Sequence, residues 1–118
     1  MLIRAGSFRK ARGKLDNVEL WLDRHPVGTV TISGRDGGWS FGQFTPGPGF
    51  ARFQNIFHQW SGLMDLARQR PLSEAERRQL AAVEQSIDRL RASVVTSDGS
   101  RQPVWQLNID GDLIEWSQ

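Results

Sequence analysis

The stretch that decides the fold is VWQLNIDGDLIEWS, residues 104–117. Apolar and polar side chains alternate on both sides of Asp110-Gly111, a dipeptide that is typical of a two-residue β-turn. The sequence therefore predicts a β-hairpin here, preceded by a further strand at 93–96. Counting outward from the turn places the large apolar side chains on one face and sets two pairs opposite each other: Leu107 with Ile114, and Trp105 with Trp116.

The first third of the chain alternates in the same way, with apolar Val18, Leu20 and Leu22 separated by Glu19 and Trp21. This period of two indicates a half-buried strand, and it predicts a three-stranded meander over 15–45. Two predicted connections fix the pairing: a three-residue loop at Arg24-His25-Pro26 sets Val18 and Leu20 opposite Ile32 and Val30, and a turn at Asp36-Gly37 sets Ile32 opposite Phe41.

Between the two meanders, residues 48–92 carry helical signals. Apolar residues recur at spacings of three and four over 50–69, and Ser73 with Glu76 forms a capping box for a second helix that ends near residue 92. We therefore expect a single α+β domain over 1–118. Its segments are a basic N-terminal strand or arm (1–14), a β-meander (15–45), a helical pair packed on one face of the antiparallel sheet (48–92) and a second β-meander (93–118).

Composition narrows the classes of function. The 118 residues contain no cysteine, which excludes disulfides and thiolate metal sites and favours a bacterial-type cytoplasm. No apolar stretch approaches the roughly 20 residues that a membrane-spanning helix needs, so we expect neither membrane insertion nor secretion. We also expect no cofactor.

Positive charge is concentrated at the N-terminus. The first fourteen residues contain five basic residues and no acidic one, which leaves −3 for the rest of a chain whose net charge is +2. Clustered basic side chains bind phosphate backbones, so nucleic-acid binding is an alternative function. The residues that would carry it are Arg4, Arg9, Lys10, Arg12 and Lys14.

Trp21 is the aromatic residue that the alternation places off the main core, with Glu19 and Asp23 on the same strand face. An exposed tryptophan at a protein interface is often a binding hot spot. The leading hypothesis is therefore a non-enzymatic protein-interaction module of the adaptor, inhibitor or immunity type. Its predicted partner-binding residues are Trp21, Glu19 and Asp23.

A small enzyme is the third hypothesis. Acid–base chemistry would draw on Asp16, Glu19 and Asp23 near the first strand with His25, or on a carboxylate or His58 in a cleft with convergent polar groups. The two histidines of the chain are too few for a histidine-rich metal site, and we expect no metal and assign no catalytic residue. The loop at 46–49 precedes a helix, but its prolines remove backbone donors, so it indicates a strand-to-helix turn more than an anion site.

Overall fold

The computed structural model describes residues 16–117, which form seven antiparallel strands and two helices. The expected α+β fold is confirmed. In chain order the elements are β1 (Asp16–Leu22), β2 (His25–Asp36), β3 (Trp39–Pro46), α1 (Gln54–Gln69), α2 (Glu74–Asp88), β4 (Ser93–Val95), β5 (Arg101–Pro103), β6 (Trp105–Asp110) and β7 (Leu113–Ser117).

The strands form one sheet in the order β5-β4-β1-β2-β3-β7-β6. The strands after the helices divide into two hairpins, β4–β5 beside β1 and β6–β7 beside β3. The two edge strands, β5 and β6, are nevertheless neighbours in the chain, because Val104 alone separates Pro103 from Trp105. Two residues span at most about 7 Å, so the sheet curls until its edges approach each other at Val104.

The concave face of the curled sheet holds the core. Alternate residues of the strands point inward, and the helices cover them with Phe57, Trp60, Leu63, Val83 and Ile87, all of which are buried. The largest fully buried side chains in the described part of the chain are Trp116, Phe44 and Phe57. Neither helix within 16–117 has the length and apolar composition needed to cross a membrane.

The pairing of β1 with β2 differs from the prediction by two residues. Val18 lies opposite Val30 and Leu20 opposite Gly28: the turn at Asp23-Arg24 moves the pairing by three residues, and an irregularity between Leu20 and Trp21 moves it back by one. Asp23 and Arg24 have φ angles of 49° and 73°, the left-handed pair that a tight hairpin turn requires. A displacement by two preserves the buried face, so Val18 and Leu20 are in the core as expected.

The predicted pairing of Ile32 with Phe41 is wrong. Ile32 lies opposite Gly42, and Phe41 lies opposite Gly34 with 40% of its surface exposed. The turn is one residue later than predicted, at 37–38, because the chain has two consecutive glycines there and both adopt positive φ. An irregularity between Ile32 and Gly34 then shifts the remaining pairs.

The predicted pairs of the last hairpin are also wrong. Ile109, not Leu107, faces Ile114, because the turn falls at 111–112. A further irregularity between Trp105 and Asn108 places Trp105 opposite Ser117. Trp116 is therefore buried at 1% exposure, whereas Trp105 is 60% exposed and lies outside the core.

Helix α2 begins where the sequence predicts, whereas α1 begins later than predicted. A single 3-10 turn over Pro48–Phe50 precedes α1, which starts at Gln54 and not near residue 50. The predicted capping box of α2 is confirmed: the Ser73 hydroxyl accepts from the Glu76 N–H at 3.1 Å, and the Glu76 carboxylate accepts from the Ser73 N–H at 2.8 Å. Arg70 donates both guanidinium N–H groups to the same carboxylate at 2.8 Å.

Gly42 and Gly62 give a matched test of the close packing between β2 and β3. A Cβ at Gly42 would lie 2.1 Å from the backbone O of Thr31, whereas a Cβ at Gly62, inside α1, would meet nothing within 4 Å. We expect Gly42→Ala to lower the free energy of unfolding by about 1–3 kcal/mol and Gly62→Ala to raise it by about 0.5–1 kcal/mol. Denaturant unfolding measures both, and equal effects of the two substitutions would contradict the close approach of β2 and β3.

The hydrogen bonds of the Glu76 carboxylate can be tested through the pH dependence of stability. The side-chain hydrogen bond from Arg70, supported by the Ser73 N–H, lowers the pKa of Glu76 to about 2 from its ordinary value near 4.5. Because this pKa is lower in the folded state, the stabilisation is complete above pH 4.5 and is lost as the pH falls towards 2. Glu76→Gln should therefore flatten the loss of stability in that range, measured by thermal unfolding; profiles parallel to wild type would contradict the assignment.

Candidate functional site

A cleft of about 810 Å³ opens where the edges of the sheet meet. Its walls come from the β1–β2 turn, the end of α2, β5 and the start of β6, which the single-residue link at Val104 brings together. The Val104 N–H donates to the Ala92 carbonyl at 3.1 Å, and the Asp23 N–H donates to the Leu90 carbonyl at 2.6 Å. These two bonds hold the turn and the link against the chain that follows α2.

Two tryptophans line the cleft, Trp21 from β1 and Trp105 from β6. Trp21 is half-buried and held in place: its indole N–H donates to the Glu19 carboxylate at 2.8 Å, and the Arg101 guanidinium lies 4.6 Å from its ring centroid. Arg101 also donates to the Ser93 hydroxyl at 2.8 Å, which fixes the cation–π contact. Trp105 is the most exposed aromatic residue that the structure describes.

Charged side chains surround the tryptophans. Arg24, Arg91 and Arg101 line the cleft together with Asp23 and Asp88, so its formal charge is +1. The floor is apolar and includes Ile87, Val104 and Leu107. An apolar floor with polar groups at the rim is the usual composition of a binding site.

The backbone is strained at this cleft. Four residues other than glycine adopt positive φ within 16–117, namely Asp23, Arg24, Arg91 and Gln106, and all four line it. The left-handed conformation costs a residue with a Cβ roughly 1–2 kcal/mol. Such residues tend to gather at functional sites, where the surrounding structure holds them.

The structure brings the predicted partner-binding residues to this place. Trp21 and Asp23 line the cleft, and Glu19 does not line it but accepts a hydrogen bond from the Trp21 indole. Asp23 is not on the strand face, however, because it occupies the first position of the turn. The basic residues of the nucleic-acid alternative, Arg4, Arg9, Lys10, Arg12 and Lys14, lie outside the described residues.

Sequence reasoning missed Trp105 and the three arginines of the cleft. Trp105 was assigned to the core by strict alternation, and the irregularity that turns it outward includes Gln106 with a φ of 53°. Gln106 gives no sign of a left-handed conformation in the sequence. The arginines are distant from one another in the chain, and the fold alone brings them together.

The residues of the enzyme hypothesis have separate partners. Asp16 pairs with Arg35 at 3.1 Å, and His25 accepts from Arg52 at 2.8 Å. His58 lies 3.5 Å from the Gln54 amide, beside a second cavity of about 360 Å³. Among residues 16–117, no group of three or more His, Cys, Asp or Glu side chains is arranged to hold a metal ion.

The loop at 46–49 makes two backbone hydrogen bonds, one as donor and one as acceptor. The Gly47 N–H donates to the Val27 carbonyl at 2.8 Å, and the Phe50 N–H donates to the Gly47 carbonyl at 3.1 Å. Pro46 and Pro48 have no N–H. The loop therefore has the hydrogen bonds of a strand-to-helix turn.

Comparisons with protein-family models, curated proteins and solved structures gave no match for this chain.

The strain at Arg24 can be measured directly. Arg24→Gly creates Asp-Gly, the dipeptide that a left-handed hairpin turn prefers, and we expect it to raise the free energy of unfolding by about 0.5–1 kcal/mol. Arg35→Gly, within β2, is the control and should lower it, because glycine weakens a strand and the ion pair with Asp16 is lost. A loss of stability in Arg24→Gly would show that the arginine side chain stabilises the fold.

Proposed function

We propose that the protein is a non-enzymatic protein-interaction module, of the adaptor, inhibitor or immunity type, and that it binds a segment of its partner in the Trp21–Trp105 cleft. The observation that carries the proposal is the combination of two tryptophans and three arginines around one apolar floor. Tryptophan and arginine are the residue types enriched in the hot spots of protein interfaces. The absence of cysteine from the chain supports a bacterial-type cytoplasm as its location.

Trp105 has the most surface to lose on binding. Its side chain is 60% exposed, so a partner could cover on the order of 150 Å² of it. At about 25 cal/mol per Å² this burial is worth up to about 3–4 kcal/mol before the entropy cost of association. A contribution of that size is typical of a hot-spot residue.

Trp21 and Trp105 have different roles in this proposal. Trp21 is held by Glu19 and Arg101, so it gives a fixed wall and loses little conformational freedom on binding. The indole N–H of Trp105 forms no hydrogen bond to the described residues, and most of the residue's surface is open to a partner. A fixed wall beside an exposed aromatic ring suits the capture of a protruding side chain.

The test is affinity purification with the full chain, comparing wild type with Trp105→Ala and Leu113→Ala. Leu113 is the matched control, because it is 64% exposed on β7 and does not line the cleft. We expect a specific protein to be retained by wild type and by Leu113→Ala, and its affinity for Trp105→Ala to be weaker by about 30-fold, or about 2 kcal/mol.

Two results would contradict the proposal. One is retention of the same proteins by all three forms. The other is co-purification of nucleic acid that is released steeply as salt rises, measured by the ratio of absorbance at the nucleic-acid and protein maxima. The second result would favour the alternative function through the basic residues at 4–14.

A further inference from the structure

No arginine of the cleft forms an ion pair with a carboxylate among residues 16–117. Within 16–117 the ion pairs engage Arg35, Arg68, Arg70 and Arg78, and none of these four lines the cleft. Neither Arg24 nor Arg91 makes a side-chain hydrogen bond or ion pair to a described residue. The cleft therefore presents two guanidinium groups whose bidentate donors are available to a ligand.

Arg24 and Arg91 also adopt a backbone conformation that is unfavourable for a residue with a Cβ. Arg24 has a φ of 73° and Arg91 a φ of 52°, both in the left-handed region that glycine adopts at no steric cost. Each arginine thus occupies a position where glycine would be more stable, and its side chain makes no polar contact within the described structure that offsets the strain. Both guanidinium groups belong to exposed residues, where a ligand can reach them.

We infer that the segment bound in the cleft is acidic, with a carboxylate that reaches Arg24 or Arg91 and a large apolar side chain that inserts between Trp21 and Trp105. The inference rests on the proposed function and names the chemistry of the partner. A carboxylate pairs with a guanidinium through two parallel hydrogen bonds, as a phosphate also does. The apolar floor formed by residues such as Ile87 and Leu107 receives the inserted side chain.

Charge of both signs around the cleft favours a protein segment over nucleic acid. Asp23 and Asp88 line it, and Glu19 is bonded to the edge of Trp21. A phosphate backbone carries negative charge along its whole length and would meet these carboxylates as well as the arginines. A peptide can place an acid against the arginines and an uncharged or basic residue against the aspartates.

The test is selection of a random displayed peptide library on the full chain, followed by measurement of the affinity of the most enriched peptide. We expect enriched peptides to carry Asp or Glu within a few residues of Trp, Phe or Leu. Arg24→Gln and Arg91→Gln should each weaken binding about fivefold, which corresponds to about 1 kcal/mol. Arg89→Gln is the matched control, because Arg89 is exposed two residues from Arg91 but does not line the cleft, and it should leave the affinity unchanged.

The outcomes separate this inference from the proposed function. Enriched peptides that lack acids but lose affinity in Trp105→Ala would overturn the inference and leave the interaction module in place. Peptides whose binding is insensitive to Trp105→Ala would overturn both. Phenylacetate carries the same two chemistries on a small molecule, and if it binds as tightly as the selected peptide, the inference of a protein segment fails.

Discussion

A one-residue link between the two edges of the sheet is the constraint on which the rest of the structure depends. Seven strands spaced at about 4.8 Å would place the edges of a flat sheet about 29 Å apart. Pro103 and Trp105 belong to opposite edges, and Val104 allows at most about 7 Å between them. The sheet must therefore curl, and the curl creates the concave face that the two helices cover.

The same link explains the position of the cleft. The edges are joined at Val104, but β5 pairs with β4 and β6 with β7, and no β5–β6 pairing is found among the described residues. The β1–β2 turn and the chain after α2 fill the gap, and both carry residues with positive φ. Strain is thus concentrated where the topology leaves the sheet open, whereas the described chain elsewhere adopts positive φ only at glycine.

The sequence predicted the elements and their buried faces better than their pairings. Alternation identified the inward residues of β1 and β2, and the capping box located the start of α2, because both signals depend on neighbours in the chain. The turns at Gly37 and Gly111 were each placed one residue early, since a glycine can occupy either central position of a two-residue turn. Bulges then changed the register further, and no local residue pattern marked them.

The cleft was only partly predictable for the same reason. Trp21 stood out because it interrupts an apolar alternation, a local signal, and the structure places it in the cleft wall. Trp105 has an equally regular alternation, but its position follows from a bulge at Gln106 and from the link at Val104, which are properties of the whole sheet. An aromatic residue that begins an edge strand next to so short a link has no neighbouring strand to cover it on one side. Its exposure is therefore a consequence of the topology, and the cleft is formed where the curled sheet fails to close.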